Sequence, residues 1–186
     1  MKYFKIDEFR CKDGSVTPER AKANIMALVD NVLDPAHERY GKGIKVNSGY
    51  RTEAYNRQIK GANDSQHCCK GGSAAADICA LNSDYGCMMD WKAGNLEIAK
   101  AIVAVGQWDQ MILYVDNNGT LLPRLTSSTS DATQDSPSEL GSPSLLPRFV
   151  HVSWKREGYN RREIRKKVTG QSGYPLLTVD EMKQLK

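Results

Sequence analysis

The sequence predicts a single α+β domain, and three observations carry that expectation. Its 186 residues suffice for one good core and are too few for two full domains with a long insert between them. Apolar residues recur at helical spacing in the first third, and short runs of strand length recur beyond it. Hydrophobic residues at 40% and charged residues at 26% are ordinary for a soluble globular protein and argue against disorder through most of the chain.

Thr17-Pro18-Glu19 is a helix-start signal, with a hydroxyl to cap free amides and a proline at the first helical position. Ile25, Leu28, Val29, Val32 and Leu33 follow at helical spacing, which predicts a helix over about 18–33 that restarts at Asp34-Pro35 and ends near Gly41. Ile44-Lys45-Val46-Asn47 alternates like a short strand. A polar helix over about 52–59, closed by Gly61, comes next, then a second strand over about 75–81. Asn95 reads as the cap of an apolar helix that runs to about Val105 and stops at Gly106.

Residues 108–115 (WDQMILYV) and 149–154 (FVHVSW) read as two strands, and Asp116-Asn117-Asn118-Gly119 after the first is a turn sequence, so the pair should form a hairpin. Residues 125–144 intervene, rich in Ser, Thr, Pro and Asp, with almost nothing to bury. They are bracketed by the same four residues, Leu121-Leu122-Pro123-Arg124 and Leu145-Leu146-Pro147-Arg148, as a duplication accompanying an insertion would leave. The expectation is therefore one domain over 1–170, interrupted by a flexible inserted loop at about 121–147, with a C-terminal tail at 171–186.

Residues 1–9 lack the apolar core of an export signal, and no window approaches the ~20 apolar residues of a membrane helix. The chain is expected to be made and folded in a cytosol. Its five cysteines, Cys11, Cys68, Cys69, Cys79 and Cys87, lack paired spacing and are expected to be reduced thiols. The net charge of +4 is mild, yet Arg156, Arg161, Arg162, Arg165, Lys166 and Lys167 crowd one segment. That segment is either a docking face for an anionic surface or a solvated basic face.

Three histidines are present and differ in context. His37 lies in a charged helical stretch and reads as an ordinary surface or packing residue. His67 precedes a run of small residues, Gly71 to Ala76, that ends in Asp77; small residues let backbone approach closely, as a metal loop requires. His151 shares a strand face with Phe149 and Ser153, and a lone strand histidine is more often structural. Two imidazoles and one carboxylate would give a tetrahedral zinc three ligands and leave the fourth position for water.

Several separated motifs occur in order: Val46-Asn47-Ser48-Gly49-Tyr50-Arg51, Asn56, Gly61, Ser65-Gln66-His67, Ala75-Ala76-Asp77-Ile78, Trp108-Asp109-Gln110, Phe149-Val150-His151-Val152-Ser153 and Asn160-Arg161-Arg162. Over about 4–162 the chain resembles the D-alanyl-D-alanine carboxypeptidase and L-alanyl-D-glutamate endopeptidase family of zinc peptidases, especially its small phage and prophage versions. The resemblance implies a small, mainly antiparallel sheet carrying Asp77 and His151 with flanking helices, a fold shared with the signalling domain of hedgehog proteins. It implies Zn2+ on His67, Asp77 and His151, and a cleft-facing Arg51 that holds a substrate carboxylate or a developing oxyanion; a salt bridge bracing the loop is the alternative for Arg51. Ser65 and Gln66 would support the His67 loop. The implied substrate is a peptidoglycan stem peptide, cleaved by a monomer acting on the wall after release, with an anionic wall polymer as a further partner and no role for a membrane. A non-catalytic zinc module of the same fold competes with this reading, while nucleic-acid binding through the basic segment is not favoured.

Two departures from the family pattern stand out. Nine residues separate His67 from Asp77, three more than is usual, so the excess must loop out, and a thiolate of Cys68 or Cys69 becomes an alternative ligand. Many relatives end the strand after the aromatic-Asp-Gln motif with an acidic residue, where this chain has Tyr114. Asp116, two residues on and so on the same strand face if the strand continues, is the first candidate for the general base; Asp109 is the rival, better read as a structural hydrogen-bonding residue.

Overall fold

Strand residues alternate between faces, so the apolar positions of each strand show which side of the sheet is buried. A computed structural model describes residues 1–81, 90–115, 149–168 and 171–185. Among them are six strands: β1 (Ile44–Ser48), β2 (Ser73–Ala80), β3 (Gln110–Val115), β4 (Val150–Lys155), β5 (Glu163–Val168) and β6 (Leu176–Leu177). They form one open sheet in the order β1-β2-β4-β3-β5-β6, in which only β3 and β5 run parallel. Ile44, Ala74, Ala76, Ile78, Met111, Leu113, Val150, Val152, Trp154, Ile164 and Val168 all enter one hydrophobic core. Helices cover that face, and the other face carries the polar positions.

The covering helices follow from the predicted spacing. In α1 (Glu19–Leu28) the buried residues Ala21, Asn24, Ile25 and Leu28 form one stripe, which Val29, Val32 and Leu33 continue through a single wider π-type turn. After it α2 (Asp34–Tyr40) runs to Gly41, whose left-handed φ of 71° lets its amide bond the His37 carbonyl and end the helix. The short α3 (Glu53–Gln58) starts at Thr52, whose hydroxyl accepts from the Tyr55 amide as a cap should. The long α4 (Asp90–Val105) packs on α2 and β2. Each fully buried Ile, Leu or Met contributes about 1.5–3 kcal/mol by leaving water.

Two caps differ from expectation. Pro18, not Thr17, is the N-cap of α1, and the buried Thr17 hydroxyl makes no hydrogen bond. Asn95 lies inside α4, where its side-chain oxygen accepts from the Ala80 amide at the end of β2 and ties helix to sheet. Residues 108–115 and 149–154 do pair, with Met111, Ile112 and Leu113 opposite Val152, His151 and Val150. The stretch read as a tail contributes β6, paired with β5, and α5 (Val179–Lys183), whose Met182 is fully buried in the core. Asp116 and the excursion at 121–147 lie outside the described residues. The fold is a single α+β domain with a mainly antiparallel sheet, as expected. No helix among the described residues is long and apolar enough to cross a membrane.

Candidate metal centre

Strand register brings distant residues into one row on the polar face of the sheet. Ser48 of β1 lies opposite Asp77 of β2, Asp77 opposite His151 of β4, His151 opposite Ile112 of β3, and Ile112 opposite Arg165 of β5. His67 comes from outside the sheet, in a tight 3-10 turn (Gln66–Cys68) before β2. The motif around Gly49 holds that turn on both sides: the His67 Nδ1 bonds the Gly49 carbonyl at 2.6 Å, and the Arg51 amide donates to the His67 carbonyl at 2.9 Å. Gly49 itself is pressed against Phe9, so closely that a Cβ there would lie 2.6 Å from the Phe9 Cα.

A carbonyl cannot donate, so Nδ1 of His67 carries the proton and donates to Gly49. Burial also lowers the pKa of His67, which favours the neutral ring and leaves a lone pair on Nε2. Burial alone would raise the Asp77 carboxyl, yet the group is held well below the usual carboxylate range, with His151 Nδ1 at 2.9 Å from Oδ1 and Arg51 Nη2 donating to Oδ2 at 2.6 Å. The site is thus a neutral imidazole beside an ionised carboxylate, the forms that bind a cation.

His67 Nε2 lies 3.2 Å from Asp77 Oδ1 and 3.3 Å from His151 Nδ1, and His151 Nδ1 lies 2.9 Å from the same oxygen. The lone pairs of His67 Nε2 and Asp77 Oδ1 therefore face one another at contact distance, a repulsive arrangement that a cation between them would relieve. Ligands at zinc-nitrogen and zinc-oxygen distances on a tetrahedron stand about 3.3 Å apart, close to these separations. The triad fits a metal with one position open. Side-chain exposures of 3% for His67, 4% for Asp77 and 12% for His151 put the open side next to His151.

The other predicted residues are found as follows. Arg51 donates from Nη2 to Asp77 Oδ2 at 2.6 Å and from Nε to the Ser48 hydroxyl at 3.1 Å, so its guanidinium rests on the carboxylate of a candidate ligand. Cys68 and Cys69 stay out of the cluster of candidate ligands. Burial pushes both thiols up, Cys69 to about 12, and Cys69 Sγ points at the His67 carbonyl. His37 stacks on Tyr3, on a different part of the molecule. The Ser65 side chain makes no capping bond; its carbonyl, accepting from the Cys68 amide, supports the turn instead.

Sequence reasoning saw Asp109 as structural, and its partners show how. It is fully buried, accepts from Arg161 Nε at 2.9 Å and Nη2 at 2.7 Å, and accepts from Gln66 Nε2 at 3.0 Å. One carboxylate thereby ties the turn bearing His67 to the segment after β4. Tyr114 stands two positions from Ile112, on the face that carries His151, and its ring meets Phe149 edge-on at 4.9 Å. Burial, then the charge of Asp77, pushes its phenol far up, so it is a hydrogen-bond donor and no base at neutral pH.

Residues 2–93 match a family model described as Peptidase M15, a range that holds Arg51, His67 and Asp77 and ends before His151. The match supports the resemblance to zinc D-Ala-D-Ala carboxypeptidase-like proteins. No curated protein and no solved structure matches the chain.

Proposed function

We propose, from the premise of an M15-type chain with a metal-competent triad, that this protein is a zinc metallopeptidase that hydrolyses an amide bond in peptidoglycan stem peptides. The observation that carries the reading is the convergence of His67 Nε2, Asp77 Oδ1 and His151 Nδ1, with neighbouring separations of 2.9, 3.2 and 3.3 Å. When bound, zinc lowers the pKa of a water and polarises a carbonyl.

The chain's own residues supply the rest. The Gly49 carbonyl fixes the His67 tautomer, and outer partners of this kind orient a ligand and raise its basicity. Burial of His67 and Asp77 limits water to the His151 side. A proton must leave the attacking water and reach the departing amine. Tyr114 is unsuited to accept it, and the role falls in this proposal to Asp116. Stem peptides are the substrate class that the family resemblance supplies, of the D-Ala-D-Ala carboxypeptidase or L-Ala-D-Glu endopeptidase type. The protein would act as a monomer on the wall, with the basic segment of Arg156, Arg161, Arg162, Arg165, Lys166 and Lys167 giving a net positive charge toward anionic polymers.

Mass spectrometry of stem-peptide digests tests this, using the native chain and His67→Ala, each with added zinc and with chelator. Cleavage by the native chain with zinc alone is expected, and the mass of the products names the bond. Intact peptide in every condition overturns the peptidase reading; if zinc still binds in one-to-one ratio, a non-catalytic zinc module of the same fold takes its place.

A further inference from the structure

Every oxygen of the Asp77 carboxylate has its own partners. Oδ1 faces His67 Nε2 and His151 Nδ1, while Oδ2 takes the Arg51 Nη2 at 2.6 Å. The arginine is itself held. Its Nε bonds the Ser48 hydroxyl, its backbone amide bonds the His67 carbonyl, and the amide before it bonds the Phe9 carbonyl. Ser48 in turn stands opposite Asp77 across the β1–β2 pair, one residue past an irregularity in the register. Arg51 and Asp77 are 16% and 4% exposed, so water competes weakly for the ion pair.

We propose that Arg51 is a positioning residue for the metal centre: it occupies Oδ2 of Asp77 so that only Oδ1 can turn to the ion. A carboxylate free of that grip can swing both oxygens onto a zinc-sized cation and fill the position that chemistry needs open. Arg51 also draws electron density from the ligand carboxylate, which keeps the bound ion a stronger Lewis acid. This inference rests on the metal-binding reading above. It differs from a substrate-anchoring Arg51 in what it predicts: an anchor changes KM and leaves coordination alone, whereas a positioning residue changes coordination before any peptide is added.

Cobalt serves as the probe, because four-coordinate Co2+ absorbs visible light much more strongly than five- or six-coordinate Co2+. The metal-free native chain, Arg51→Met and Arg51→Lys are titrated with Co2+, and zinc affinity is then read by chelator competition. The native chain is expected to show the intense spectrum. Arg51→Met is expected to lose most of that intensity and to shift in zinc affinity by roughly tenfold or more, and to melt below native in the metal-free state because Asp77 loses its buried partner. Arg51→Lys, which keeps a charged donor, is expected to fall between them and provides the comparison if Arg51→Met fails to fold. Native-like spectra and affinities in the variants overturn the inference. A native chain that takes up no cobalt and no zinc instead overturns the metal-centre reading itself.

Discussion

Replacing Asp109 by Asn tests whether the buried carboxylate holds the two halves of the site together. Burial alone would raise the Asp109 carboxyl, but hydrogen bonds from the Arg161 side chain and amide and from Gln66 bring it down to about 2. An unfolded aspartate titrates near 3.9, so the difference is about two units, or about 2–3 kcal/mol at neutral pH. Because the folded value is the lower one, this stability is present above about pH 4 and is lost as pH falls through 4 towards 2. Asn keeps the shape and one acceptor but leaves the guanidinium of Arg161 with Glu163, at 3.4 Å, in place of its buried charge partner. Urea unfolding of both proteins in chelator, at a series of pH values from 7 to 2.5, gives the difference directly. The gap should be about 2–3 kcal/mol at pH 7 and should narrow to about 1 kcal/mol by pH 2.5, beside the fixed cost of fitting an amide. A gap that is absent at pH 7, or that does not change with pH, would refute the argument that Asp109 is held ionised by its partners.

Three further outcomes are expected. Zinc at 100 times its dissociation constant should stabilise the native chain by about 2.7 kcal/mol, seen as a chelator-reversible rise in melting temperature, and His151→Ala should show no such rise. Gly49→Ala would drive a Cβ to 2.6 Å from the Phe9 Cα and shift the carbonyl that holds His67. It should cost about 1–3 kcal/mol in urea unfolding and weaken zinc in chelator competition. Met182→Ala should cost about 2–5 kcal/mol if α5 is an integral part of the core, and a change near zero in the same assay would show that α5 adds no stability.

The residues that speak through local pattern were readable, and those that speak through distant partners were not. The stripe from Ala21 to Leu33 and the Thr52 cap are set by neighbours within one or two turns, so spacing sufficed for them. Asn95 carries every local mark of a cap, yet its partner is Ala80, fifteen residues back on a strand. For Arg51 the sequence left two readings, a group holding substrate and a salt bridge bracing the loop, because nothing in it reveals that register sets Asp77 against Ser48. In β5 the charges of Arg165, Lys166 and Lys167 hid the alternation that buries Ile164 and Val168, so a strand read only as a basic cluster. Leu176-Leu177 is too short for any periodicity, and Val179, Met182 and Leu185 keep helical spacing over less than two turns, which is why residues 171–186 read as a tail. The candidate triad was nominated by residue type and family resemblance, whereas its convergence had to come from three dimensions.

The three extra residues between His67 and Asp77 bear on whether the departure from the family spacing matters. Asp77 is positioned by β2, which pairs residue by residue with β4 from Ser73 opposite Lys155 to Ile78 opposite Val150, so its partner His151 is fixed by register. His67 is positioned independently, by the Gly49 carbonyl and the Arg51 amide. Between the two anchors, Cys69, Gly71 and Gly72 all take positive φ, of 53°, 56° and 74°, and the chain turns back on itself there. Asn24 of α1 bonds the Cys69 carbonyl, which fixes the start of that turn against the core, and the Arg156 amide bonds the Gly72 carbonyl at its end. The excess is therefore absorbed in a turn whose ends are tied to other elements. The two glycines adopt this backbone at little steric cost and Cys69 bears the strain of a side chain at positive φ. The spacing of His67 and Asp77 along the chain can vary here without moving either candidate ligand, because His67 answers to the Gly49 and Arg51 backbone and Asp77 to the β2–β4 register.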